Sequence, residues 1–360
     1  MKLLAVFALT AIGCGDNVEV PPDAANFVHT PLPQVIPHTF NVLDHPKLIT
    51  LTYSDHADRA MVEAWGDAVV TSSWYKAVAG QYSIGAMTHA AKFVMGPSPT
   101  TTIEDTDVEA KIQALITAGS VPAPDSNTLY MIYIPPQVSL GDSLSGVYGY
   151  HAMLTRPTGE RFAYAVVLDD GTGLATTTTT ASHELIEAAT DPYDPPNDGW
   201  YTDPGSPDPW SLILGEVADL CNTDPVVTEG GFTYQRSWSN TAAAASENPC
   251  VPNTGDVYET VSAEPRLMPT VAKGETVTFT LTGWSTAAEP DWTLDTYDAD
   301  YSDLTAAQIN PQLSATKINA GKTVTLTLKV PAGAKSGATA GVYVLSGQYQ
   351  RPWAVGFIVQ

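Results

Sequence analysis

Read for apolar and polar positions, the first half of the chain alternates between two periods. Lys47 to Tyr53 (Lys-Leu-Ile-Thr-Leu-Thr-Tyr), Thr128 to Ile134 and Phe162 to Leu168 are compact β-rich runs that predict strands, the second stopped by Pro135-Pro136. Ala60 to Val78 spaces Met61, Ala64, Trp65, Ala68, Val69 and Trp74 along one face of a helix. Val108 to Ala118 predicts a second helix, opened by Glu104, Asp105 and Asp107 and closed by Gly119. Leu174 to Thr190 predicts a third in spite of the β-branched run Thr176 to Thr180, and Asp191-Pro192 ends it. Such interleaving implies an α/β or α+β domain.

After Cys250 the texture changes. Val277 to Leu281 and Val324 to Leu328 alternate large apolar residues with Thr, and each follows a Gly-charged-Thr triplet, Gly274-Glu275-Thr276 and Gly321-Lys322-Thr323. With Tyr343 to Leu345 and Ala354 to Val359 they predict an all-β, Ig-like sandwich that begins near Pro252 to Asp256. At the other end, Met1-Lys2 precedes an apolar run from Leu3 to Ile12, too short to span a bilayer and built like an export signal. The run ends Ala11-Ile12-Gly13-Cys14, similar to a bacterial lipoprotein processing site, which makes Cys14 the expected point of lipidation. Prolines at 21, 22, 31, 33 and 37 suggest an extended tether. The expected organisation is therefore residues 1–14 as signal peptide with lipobox, 15–45 as Pro-rich tether, 46–253 as an α+β metal-binding domain and 254–360 as the β-sandwich.

Charge narrows the partners. With 39 acidic against 16 basic residues the net charge is -23, which disfavours nucleic acid and anionic membrane surfaces, so membrane attachment is expected only through Cys14. The expected location is exported, as a bacterial envelope lipoprotein or an extracellular protein. Setting Cys14 aside leaves Cys221 and Cys250, which in an oxidising compartment predict a disulfide worth ~3 kcal/mol; a zinc site on the two cysteines is the alternative.

The chemistry concentrates in Ser182-His183-Glu184-Leu185-Ile186-Glu187. On a helix His183 and Glu187 share a face and can reach one metal ion, with Glu184 beside them. This is the zinc-peptidase pattern His-Glu-x-x-His with glutamate in the last ligand position. Downstream, Gly215-Glu216-Val217-Ala218-Asp219-Leu220-Cys221 offers Glu216 as third ligand and Asp219 as the carboxylate that orients the histidine, or the two exchange roles. Glu184 is the expected general base, and His151 a transition-state donor, an extra ligand or a buried histidine bonded to backbone. A His-Glu-Glu set is formally neutral around a divalent ion, so manganese or calcium stands beside zinc as a candidate. The loop after the helix carries Asp191, Asp194, Asn197, Asp198 and Asp203, a possible calcium site or a chain of Asx turns.

Several blocks in order carry a family resemblance. Ser182 to Pro192, Gly199-Trp200-Tyr201, Glu216 to Cys221, Tyr234-Gln235-Arg236-Ser237-Trp238-Ser239-Asn240 and Cys250-Val251 resemble bacterial secreted relatives of the plant EXORDIUM (phosphate-induced) proteins. Gly149-Tyr150-His151 is similar to a Gly-Tyr-His segment ahead of the helix in that family. Tyr148 stands where plant members tend to have a cysteine, so no third disulfide partner is expected. The resemblance covers roughly residues 46 to 251 and implies a zincin-like, metallopeptidase-like fold and extracellular action. Two functions follow as expectations. One is a metal-dependent hydrolase that cuts peptide or protein with a metal-bound water and Glu184 as base. The other is a non-catalytic surface protein with a structural metal and a β-sandwich that binds a cell-envelope polymer or protein.

Overall fold

The computed structural model describes residues 31–39, 41–99, 101–141, 146–193, 198–203, 207–213 and 215–360. Cys14, the expected signal segment and most of the expected tether lie outside these residues, as do Asp194 and Asn197. The chain is mixed α and β, with more sheet than helix.

Five strands form the first sheet: β1 (Lys47–Tyr53), β2 (Thr88–Met95), β3 (Thr128–Ile134), β4 (Gly149–Thr155) and β5 (Arg161–Leu168), in the order β2-β1-β3-β5-β4. All neighbours are parallel except β4, which runs antiparallel along β5 and forms one edge. The helices are α1 (Arg59–Val69), α2 (Ser73–Val78), α3 (Asp105–Thr117) and α4 (Leu174–Thr190). Leu129, Met131 and Tyr133 pack with Val62 and Trp65 of α1 and Leu185 and Ile186 of α4, whereas Tyr130, Ile132 and Ile134 pack with Val108 and Ile112 of α3. Helices on both faces explain why β3 is apolar throughout, since no side of it meets water.

The single helix expected from Ala60 to Val78 is two helices. Thr71 and Ser72 interrupt it, and the Ser72 hydroxyl accepts the N–H of Tyr75 at 3.0 Å, a side-chain cap that starts α2 afresh. The expected tether is also corrected at its end. Leu32, Val35 and Leu43 are buried, Ile36–Pro37 pair with Trp200–Tyr201, and His38 stacks on Tyr201 at 3.8 Å, so residues 31–39 and 41–45 are part of the fold.

Beyond Cys250 come β6 (Glu259–Glu264), β7 (Thr276–Ser285), β8 (Trp292–Asp298), β9 (Thr323–Lys329), β10 (Thr339–Ser346) and β11 (Arg351–Val359). One sheet has the order β6-β7-β9 with Gln312–Leu313 at its edge; the other places β11, β10 and β8 between the short strands Thr270–Val271 and Lys317–Ile318. The two Thr-rich runs pair directly as β7 and β9, and their alternating Val277, Phe279, Leu281, Leu326 and Leu328 turn inward.

The two halves share one contiguous apolar core. Trp210 meets Trp353 edge-on at 5.6 Å, and the Tyr343 hydroxyl donates to the Leu212 carbonyl at 3.1 Å. Beside this contact Arg351 is fully buried and donates to Asp224, Asp256, Glu259 and the Val257 carbonyl. Arg236 completes the network through Asp256 at 2.8 Å and the Cys250 carbonyl at 2.7 Å. Cys221 and Cys250 form a disulfide, which removes the alternative of a zinc site on those sulfurs.

Candidate metal centre

Helix α4 presents its polar positions to two neighbours. Its Thr and Ser hydroxyls bond within the helix, and Thr178 Oγ1 and Ser182 Oγ also accept the N–H groups of Thr233 and Gln235 at 3.3 and 2.8 Å. The Thr run thereby tethers the strand segment that carries Gln235. On the other side lies edge strand β4, so close at its first residue that a Cβ on Gly149 would stand 2.7 Å from Glu184 Oε1 and 2.6 Å from the Thr180 methyl. Only glycine lets the edge approach the helix this closely.

These contacts bring His183, Glu184, Glu187, His151, Glu216 and Asp219 together. His183 Nε2 lies 2.9 Å from Glu187 Oε2 and 3.6 Å from Asp219 Oδ1. His151 Nδ1 lies 3.4 Å from Glu184 Oε2 and 4.0 Å from Glu187 Oε2, while its Nε2 is 3.5 Å from Glu216 Oε2. Glu187 Oε1 accepts the N–H groups of Ala218 and Asp219 at 3.2 and 3.1 Å, which leaves Oε2 facing the histidines. Of the two downstream carboxylates it is Asp219, rather than the expected Glu216, that shares a ligand-sized group with His183 and Glu187. Glu216 sits against His151, and its buried Oε2 makes no hydrogen bond.

Gln235, which sequence reasoning placed only within a motif block, orients the first histidine. Its amide Nε2 donates to the Ala218 carbonyl at 2.8 Å, which turns its Oε1 toward His183 Nδ1 at 3.1 Å. Nδ1 then carries a proton and Nε2 is turned toward Glu187 and Asp219; burial lowers the His183 pKa, but Glu187, Glu184 and Asp219 outweigh it and hold it well above 6.5, so without an ion Nε2 is protonated as well. His151 is set the same way: its Nε2 faces the Asp191 carbonyl at 3.2 Å, an acceptor only, so Nδ1 is the free donor atom.

Among the described residues, the ion pairs of these four carboxylates are with His151 or His183. The crowding shows in proton affinity. Burial and then Asp219 raise the Glu187 carboxyl to about 7 against the lowering effect of His183, and burial holds Glu216 well above the usual carboxylate range. Burial pulls His151 down, but Glu216, Glu184 and Glu187 outweigh it and raise it to about 10. A cation bound among these groups would have to displace their protons. It opens onto a cleft of about 300 Å³ lined by Tyr148, Gly149, Thr180, His183, Glu184 and Asn222.

Of the expected calcium loop, Asp191 accepts the Gly199 N–H at 2.5 Å, Asp198 accepts the Tyr201 hydroxyl at 2.6 Å and Asp203 is exposed. None of these three joins a ligand group among the described residues. Trp238 is buried core rather than cleft wall. The chain matches no family model and no curated protein. The resemblance to EXORDIUM relatives therefore stands on the motif residues alone.

Proposed function

We propose that the protein is an exported or lipid-anchored metal-dependent hydrolase of zincin-like construction, acting on a peptide or protein. The observation that carries this reading is the Gln235-oriented His183, whose Nε2 faces Glu187 Oε2 and Asp219 Oδ1 around one point. A divalent ion at that point would supply Lewis-acid polarisation of a carbonyl and a more acidic water. His183, Glu187 and Asp219 hold the ion. Glu184, buried at the cleft wall, is the base that takes the proton from the attacking water. His151, within reach of Glu184 and Glu216, donates hydrogen bonds to charge that develops on the substrate.

The test is metal content and cleavage of a mixed peptide library by the parent and Glu184→Gln. Stoichiometric ion with cleavage that drops at least ~100-fold in the variant supports the hydrolase. Bound ion without cleavage by either protein would shift the reading to a surface protein with a structural ion; absence of bound ion would overturn both.

A further inference from the structure

We propose that the centre holds two divalent cations bridged by Glu187, one between His183, Glu187 and Asp219 and the other between His151, Glu184 and Glu187. The inference rests on the metal-dependent reading above and changes the number of ions and the roles of Glu184 and His151, both of which become ligands.

Four observations converge on it. Two separate sets of donor atoms, each within 4.8 Å of one another, share Glu187 and no other residue. Metal–ligand bonds of ~2.1 Å put neighbouring donor atoms ~3.0–3.4 Å apart. The histidine-to-carboxylate distances are 2.9 and 3.6 Å in the first set and 3.4 and 4.0 Å in the second, so each set closes on an ion with shifts of about half an ångström. Each imidazole is held from behind, His183 by Gln235 and His151 by the Asp191 carbonyl, and Glu187 Oε2 lies within reach of the other nitrogen of both, 2.9 Å from His183 Nε2 and 4.0 Å from His151 Nδ1, which is nearer Glu184 Oε2 at 3.4 Å. The opposite oxygen, Oε1, is engaged by two backbone N–H groups, so Oε2 is the bridging atom.

Charge points the same way. Glu184, Glu187, Glu216 and Asp219 carry four negative charges when ionised, and among the described residues their ion pairs are confined to the two histidines. One divalent ion leaves half of that charge uncompensated in a site where Glu184 and Glu187 are buried; two ions neutralise it. The nitrogen and oxygen donors suit zinc or manganese. In a two-ion centre Glu184 would be a ligand, and the ions would supply acidification of the attacking water and polarisation of the peptide carbonyl, the amine being the leaving group.

The experiment is metal content per full-length chain after chelator stripping and dialysis against Mn²⁺, with electron paramagnetic resonance on the loaded protein. Two Mn²⁺ per chain with an exchange-coupled spectrum, falling to one uncoupled ion in His151→Ala and in His183→Ala, is the expected result. One ion in the parent, retained in His151→Ala and lost in His183→Ala, overturns the second ion and leaves the one-ion hydrolase standing. No bound ion in the folded parent overturns both, and the parent measurement decides this even if a variant fails to fold.

Discussion

Replacing Gln235 by Met isolates the positioning of His183 from the ligands themselves. The side chains are similar in length, and the backbone N–H that donates to Ser182 is untouched. What disappears is the acceptor for His183 Nδ1 at 3.1 Å and the donor to the Ala218 carbonyl at 2.8 Å. Loss of an outer partner to a ligating histidine lowers metal affinity ~10–100-fold, which is about 1.4–2.7 kcal/mol. The Ala218 carbonyl keeps the Cys221 N–H at 3.0 Å, so loss of the Gln235 donor destabilises the ion-free fold by ~0.5–1.5 kcal/mol. Competition for Zn²⁺ against a chromophoric chelator measures the first quantity, and urea denaturation of the stripped protein the second. Affinity within twofold of the parent, in a variant that is measurably less stable, would show that Gln235 only packs and that His183 is not held as a ligand.

Two further outcomes concern the fold. Arg351→Met removes five hydrogen bonds, leaves Asp224 and Asp256 with Arg236 alone and takes from Glu259 the cation at 2.7 Å, so urea denaturation should show a loss of ~3–5 kcal/mol; a loss below ~1 kcal/mol would mean the buried network does not join the two halves. His89, packed on Gly66 between Thr50 and Asp67 with Lys92 and Glu63 nearby, has its pKa lowered below 6.5 because burial outweighs the raising effect of Asp67. The unfolded chain therefore takes up this proton first, and the stability contributed above the unfolded pKa declines as pH falls from about 6.5 toward the folded value. The loss of stability between pH 7.5 and 5.5 should be smaller in His89→Gln, and an identical slope would refute the assignment.

Where a segment's surroundings were uniform, local pattern was enough. Thr128–Ile134 and Leu174–Thr190 lie where their apolar and breaker residues predict, and the Gly-charged-Thr runs became adjacent strands β7 and β9. Edge strands were harder to read: β2 alternates exposed and half-buried positions and β4 is mostly half-buried, but the small and polar residues of Thr-His-Ala-Ala-Lys or Gly-Tyr-His-Ala-Met do not mark a period of large apolar side chains. That gap hid the element that carries His151.

The candidate site divides the same way. That His183, Glu184 and Glu187 share one stretch of helix was legible in the chain, since helical spacing is a local property. So was the pair Cys221 and Cys250, which are disulfide-bonded. That Asp219 faces His183 while Glu216 faces His151 depends on folding, because Glu187 Oε1 captures the Ala218 and Asp219 N–H groups and so sets the direction of that turn. Gln235 was equally invisible: a neutral side chain fifty-two residues from His183 in sequence acquires its role only when Ser182 and Ala218 hold it against the imidazole, and such long-range hydrogen bonds leave no periodic trace along the chain.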